Sequence, residues 1–485
     1  MRRPVITAAI CWTLLVGGVS AEPTQPGDPW PVFEPPTPDS GEPGSSIVEI
    51  TQHPASGVWS VWLDNGVLIH HRAMDRGSGL VAIGLTIPHL DLEGHGLGGS
   101  ELAVAEAAAA VLNAPATDDL DADAWRGMLR GKRVTIRASA TADATTIRVD
   151  ARVEDAALAI DLLGRLLASA RAHDEALARW KAASSSRLNS VERAPPARAR
   201  REIALSLSPD SVVAREDLDA VTPERVQAWL DALGVHPMEA AICGDLDRVP
   251  ALTMMADSLA RLPDRERIVP MHAEAGARPL RAQADATLEG TRPQAVAMWA
   301  LLLDEPLRAA GRRRLTIGMD ALQQRLESSL QHERQLAFSV GAQMLVPGDE
   351  AGAGGLLLAV LSEPARVDES IELAERELAT IAGEGVGEEY LAKARARQLS
   401  AASELRSSAR VWANYLSTRQ WWSREIDDLL LVVERLEAEP EGAIDASLRE
   451  LLASDRRVRV RVVGMPEEAP AGQPEAPALV GPEER

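Results

Sequence analysis

The chain has 485 residues, 46% of them apolar and 25% charged, with a formal net charge of −21. That apolar content supports two or three packed domains and excludes a disordered or fibrous chain. The acidic balance argues against general affinity for nucleic acid or anionic lipid.

Arg2 and Arg3 precede the apolar run Val5 to Val19, and Val19-Ser20-Ala21 supplies small residues at its end, the pattern of a secretory signal over residues 1–21. Without its two arginines the charge moves from −21 to −23. The run is too short to span a bilayer, and Cys11 has no small residue just before it, so export without a membrane anchor, to a periplasmic or extracellular location, is the expectation. Cys11 would leave with the signal, and Cys243 then has no disulfide partner. Residues 22–46 are crowded with Pro, Gly, Asp and Glu and read as a disordered tether.

Order is expected from Ile47. Val58-Trp-Ser-Val-Trp62 and Val67-Leu-Ile-His70 flank Asp64-Asn65-Gly66, a hairpin in which Asn-Gly supplies positive φ. A strand over Leu80 to Ile87 follows, then a glycine-rich turn, a Ser100-capped helix containing Glu106, and a helix around Ala122 to Leu129. Val134 to Ala140 and Thr145 to Val153 alternate as a second hairpin, and helical periods cover Glu154–Leu167, Asp174–Val191, Ala197–Leu207 and Pro223–Leu233. Glu239-Ala-Ala-Ile-Cys243 reads as a short buried strand closing a first domain over 47–262.

Residues 263–280 are rich in Pro, Arg and Gly and read as a linker. A second cycle occupies 281–465: a strand over Gln294 to Leu303, a helix over Met319 to Arg334, strands over Leu336 to Val346 and Gly355 to Leu361, helices over Val367 to Ile381 and Glu388 to Gln420, and a closing strand over Arg457 to Gly464 that echoes the one ending at Cys243. Residues 466–485 read as a disordered tail. The expected class is α+β: two tandem domains, each a mixed sheet backed by helices.

Few residues invite chemistry. His89, Asp91, Glu93 and His95 alternate on one face of a strand-like segment and could converge on a metal ion, although glycines 94, 96, 98 and 99 make the segment a turn whose polar groups are ordinarily just solvated. His70 and His71 point to opposite faces and suit packing and surface rather than chelation. Ser184-Ser-Ser186 lacks a glycine elbow, and Cys243, on a buried strand, should be inert. Trp59, Trp62, Trp421 and Trp422 fit a partner surface and a core anchor equally well. No phosphate loop, dinucleotide fingerprint or paired-cysteine metal motif is present.

From Val58 to Gly464 the chain resembles the insulinase (pitrilysin) family of inverzincin peptidases. The resemblance is carried in order by Leu63-Asp-Asn-Gly66, Cys243-Gly-Asp-Leu-Asp247, Gln324-Arg-Leu-Glu-Ser-Ser-Leu330 with Gln335-Leu-Ala-Phe-Ser-Val340, and Gly387-Glu-Glu-Tyr-Leu-Ala-Lys-Ala-Arg. It implies two domains of the metalloenzyme LuxS and peptidase-like fold. In the family, His-x-x-Glu-His on the helix after the third strand binds zinc, the glutamate serves as general base, and a glutamate on a later helix completes the site.

Here Glu106 matches the base, but the histidine positions are Ala103 and Ala107, which offer no lone pair. The later helix reads Ala182-Ala-Ser-Ser-Ser-Arg187 where a carboxylate is expected, and Glu192 is displaced. An Arg and a Tyr from the family's second domain are matched by Gln331 and Phe338, with Phe338 expected to keep the packing and lose the hydroxyl. The resemblance therefore implies an exported, inactive homologue without a cofactor. It would act as a non-catalytic subunit or peptide-binding scaffold, paired with a related chain or a second copy, because family chambers use four such domains. The alternatives are an active zinc peptidase built on residues 89–95 and a structural subunit unrelated to peptides.

Overall fold

The computed structural model describes residues 46–74, 77–89, 96–209, 212–270, 281–288, 292–303, 307–345 and 354–465. The expected signal, most of the tether, the tail and linker residues 271–280 lie outside the described residues. The first half runs β1 (Ile47–His53), β2 (Val58–Leu63), β3 (Leu68–Ala73), β4 (Leu80–Pro88), α1 (Gly99–Leu112), α2 (Ala122–Leu129), β5 (Thr135–Ala140), β6 (Ala144–Arg152), α3 (Ala156–Ser169), α4 (Asp174–Val191), α5 (Pro195–Leu207), α6 (Pro223–Leu233), β7 (Glu239–Gly244) and α7 (Arg248–Leu259). The second runs β8 (Arg281–Leu288), β9 (Ala295–Leu302), α8 (Ala309–Glu327), β10 (Ala337–Leu345), β11 (Gly355–Ser362), α9 (Val367–Glu384), α10 (Glu388–Ser407), α11 (Ala409–Leu416), α12 (Ile426–Leu430), α13 (Val432–Glu437), α14 (Glu441–Ala453) and β12 (Arg457–Gly464).

The strands form two sheets, ordered β1-β2-β3-β7-β4-β6-β5 and β10-β11-β9-β12-β8. Within the first, β3 and β7 are parallel and the other pairs antiparallel; within the second, β12 and β8 play the same part. The five strands β3-β7-β4-β6-β5 thus correspond one for one to β8-β12-β9-β11-β10, and the repeat expected from the closing strands is real. The first sheet is longer by the hairpin of β1 and β2. Its neighbouring turn is made by Asn65 and Gly66, with Gly66 at φ +85° and the Asn65 amide donating to the carbonyls of Leu259 and Leu262.

Side-chain alternation assigns the faces. In β9, Ala295, Ala297, Trp299 and Leu301 join the core under the second half's own helices, while Val296, Met298 and Ala300 join a separate cluster on the opposite face. Both faces are covered, which is why this strand reads as a continuous apolar run. In β12 the valines at 458, 460 and 462 enter that opposite cluster. The arginines between them face the other way, where Arg459 meets Glu375 at 2.9 Å and Arg461 meets Asp368 at 2.8 Å on α9.

The opposite face of each sheet is covered by a helix from the other half. Ala199 and Ile203 of α5 complete the cluster on the second sheet. Trp412, Ala413 and Leu416 of α11 lie with Val58, Ala82, Ala241 and Cys243 of the first. The helix expected over Glu388 to Gln420 is two helices: the chain breaks at Ser408, whose hydroxyl accepts from the Val411 N–H and caps α11. That break turns α11 away from α10 and across the molecule. Pro195 and Pro196 make the equivalent break before α5, since proline suits the first turn of a helix but not its interior.

Two local features fit α11 to its sheet. A methyl group on Gly84 of β4 would stand 2.6 Å from the Ala413 carbonyl oxygen, so the backbones approach closely only because no side chain is there. Beside it, Glu239 is fully buried and accepts from the N–H groups of Gln420 at 2.7 Å and Trp421 at 3.3 Å, just after α11. The same carboxyl group meets His70 Nε2 at 2.8 Å, and His70 Nδ1 lies 2.8 Å from the Ser60 hydroxyl. A carboxylate only accepts, so Nε2 of His70 is the donor to Glu239. Both neighbouring histidines are buried; His71, expected partly at the surface, is 2% exposed and bonded to the Leu246 carbonyl at 2.9 Å.

Cys243 is buried as expected, and burial pushes its thiol up to about 12, which keeps it from forming a reactive thiolate. Among Trp59, Trp62, Trp421 and Trp422, Trp421 is buried and the other three are half-buried. Trp421 is buried against Trp422, and the rings of Trp59 and Trp62 are covered by Arg248 and Arg267 at 4.1 and 4.7 Å.

Gly84→Ala is expected to lower stability in urea by about 1–3 kcal/mol through overpacking. Gly127→Ala, where a methyl meets nothing within 4 Å, should raise it by up to about 1 kcal/mol through helix propensity. Glu239→Ala strips three donors of their acceptor and should cost on the order of 3 kcal/mol or more in the same measurement.

Candidate functional site

Helix α1 is the element on which a metal site would be built. Its N-cap is Gly98, without a side-chain cap, so Ser100 falls inside the first turn rather than capping it. Nine of its residues are buried, because the helix is enclosed by β5, α4 and α6. Ala103 and Ala107, one turn apart, are fully buried within the apolar core of the first half. Glu106 points instead to the edge of that core.

Glu106 is held by α4. Arg187 Nη2 donates to Glu106 Oε2 at 2.6 Å and reaches the buried Ser184 hydroxyl at 3.4 Å. The later-helix segment that lacks a carboxylate therefore supplies a cation. Glu192 lies apart, exposed, with Arg215 at 3.7 Å. Nothing local in the sequence announces the Arg187 pair, because its partners stand 81 positions apart.

Around this pair the two halves line a half-open cleft of about 590 Å³. Leu102 and Glu106 of α1, Arg187 of α4, and Arg200, Arg201 and Ile203 of α5 face Gln343, Leu345 and Leu357 of the second sheet. Arg201 Nη1 donates to the Val213 carbonyl at 3.0 Å. Sequence reasoning passed over Arg200 and Arg201, which reach this wall only because α5 crosses to the other half.

Gln331 and Phe338 are not among the residues lining the cavity. Gln331 sits in a π-helical turn, Ser328–Glu333, and donates to the Phe338 carbonyl. Phe338 lies on the edge strand β10 and is 55% exposed, so it does not keep the packing expected of it. The turn between them reverses through Gln335 at φ +52°, a left-handed backbone that is costly for a residue with a side chain.

These residues do not fit zinc. The alanines have no donor atom, and a guanidinium 2.6 Å from the one remaining carboxylate repels a second cation. Among the described residues no three His, Cys, Asp or Glu side chains are grouped as a metal site requires. Asp91, Glu93 and His95 lie outside the described residues. His89 is placed: its Nε2 is 2.7 Å from the Thr145 hydroxyl and its ring meets Trp229 edge-on at 4.9 Å. Burial, with His236 adding a lesser repulsion, pushes its pKa down to about 3.

Against this geometry the comparisons with known proteins are specific. Residues 221–398 match the family model described as the peptidase M16 inactive domain. A peptidase M16 inactive domain from Pseudomonas fluorescens superposes with a TM-score of 0.70 at 17% identity, covering 85% of this chain and 100% of that one. The periplasmic protease PqqL from Escherichia coli gives 0.70 at 16% identity, covering 93% of this chain and 49% of PqqL. The ferredoxin protease FusC, solved in complex with Arabidopsis ferredoxin, gives 0.70 at 13%, with 93% and 49% coverage. The chain thus spans about half the length of these two proteases. The comparison with curated proteins finds no match.

Two repeated α+β units with exchanged helices define an M16-like peptidase fold. Together with the match over residues 221–398, they make the chain similar to the M16 peptidases, with alanine at both histidine positions of the helix that resembles the family's zinc helix.

The low pKa of His89 fixes a sign. The unfolded chain takes up a proton near the usual 6.5, which folded His89 refuses until about 3, so stability falls as pH drops through that interval, at no more than about 1.4 kcal/mol per pH unit from this group. Urea midpoints from pH 7 to pH 4 should show this slope, and His89→Gln should flatten it.

Proposed function

We propose that this chain is an exported, non-catalytic member of an M16 assembly, holding a peptide or a peptide-like segment between its halves. The observation that carries the reading is the Arg187 to Glu106 pair beside Ala103 and Ala107: the general base of the family is here the partner of a fixed cation. Oε2 of this carboxylate is committed to a guanidinium, and neither alanine beside it offers the metal ligand that the family's base works with. The cleft remains, with a volume suited to a short stretch of peptide.

The chain matches about half of PqqL and of FusC, and in this reading its partner is a related active chain or a second copy. Export rests on the signal-like pattern in residues 1–21 and on the description of PqqL as periplasmic. Among the described residues no helix is long and apolar enough to cross a membrane.

Metal analysis of the purified protein, alongside cleavage of a fluorogenic peptide library, tests the reading. Substoichiometric zinc and no cleavage are expected, with His89→Ala indistinguishable from the parent. Stoichiometric zinc, lost together with cleavage in His89→Ala or His95→Ala, would overturn it.

A further inference from the structure

We infer that the cavity beside Glu106 is a carboxylate-binding subsite, with Arg187, Arg200 and Arg201 as its cationic wall. The inference rests on the metal-free, non-catalytic reading of α1 and names what that pocket recognises. The chain carries a net charge of −21, and among the described residues this cleft is lined by Arg187, Arg200, Arg201 and Glu106. The cleft is half-open, and Leu102, Ile203, Leu345 and Leu357 line it beside these charges.

The arginines are placed to receive an anion. Arg187 engages Glu106 and Ser184 through one nitrogen, Nη2, of a group with five N–H donors. Arg201 gives Nη1 to the Val213 carbonyl, a neutral acceptor. Arg200, on the same wall, is desolvated, which pushes its pKa down. A guanidinium binds a carboxylate through paired hydrogen bonds, and the apolar walls suit the chain that bears the carboxylate. Glu106 then acts as a resident competitor: it holds Arg187 and sets the threshold that an incoming carboxylate has to meet.

Three labelled hexapeptides of one apolar sequence separate the sources of that carboxylate: a free C-terminal acid, its amide, and an amide ending in glutamate. Binding to the full chain by fluorescence anisotropy should favour a carboxylate over the plain amide by about tenfold or more, the scale of one charge-assisted hydrogen bond. Preference for the free acid assigns a peptide terminus; equal binding of the glutamate amide assigns an acidic side chain. Arg187→Gln and Arg201→Gln should each weaken the preference, and Glu106→Gln should strengthen it, an increase that misfolding cannot produce. No discrimination among the three peptides by folded, zinc-free protein would overturn the subsite and leave the non-catalytic reading standing. Zinc bound at stoichiometry would instead show the failure of that reading.

Discussion

Each half of this molecule folds a sheet with two apolar faces and has helices of its own to cover only one. Leaving the second face in water would expose most of a row such as Val458, Val460 and Val462, at about 25 cal/mol for every Å² of apolar surface. The halves solve this reciprocally, α5 crossing to the second sheet and α11 to the first. Much else follows from that exchange: the missing side chain at Gly84, the break at Ser408, and the placement of the buried Glu239 carboxyl group on the α11 side of β7. The cavity also depends on it, since α5 forms part of its wall.

The degenerate helix shows how little the fold asks of its former chemistry. Ala103 and Ala107 are absorbed into a core that already encloses α1. Glu106 would be a half-buried acid without a counter-charge, and Arg187 supplies one at 2.6 Å. The counter-charge is part of the chain itself.

The architecture was largely legible in the sequence because alternation and helical period report burial directly. Asn65-Gly66, the apolar run of β9 and the Arg-Val alternation of β12 each led to the correct element. The break at Ser408 was not legible, because the helical pattern of α10 continues into α11 and only tertiary packing separates them. β8 was missed beside the proline-rich segment, and α7, with its apolar residues spread around the helix, gave no clear stripe. At the site, the loss of ligands could be read residue by residue, since alanine and histidine differ on sight. The gain of Arg187 as partner could not, and neither could the exposure of Phe338, which depends on β10 being an edge strand.

The crossing of α11 has a consequence for how the chain is made. Its contacts with β4 join residues as far apart as Thr86 and Ser417, 331 positions along the sequence. During synthesis the first sheet must therefore wait with one apolar face bare until nearly the whole chain has emerged. Long loops close slowly, and an uncovered sheet invites aggregation in the interval. For this protein the vulnerable moment is its biogenesis, and a holding chaperone that shields the face around Ala82, Ala241 and Cys243 would matter more to its yield than any further gain in native stability.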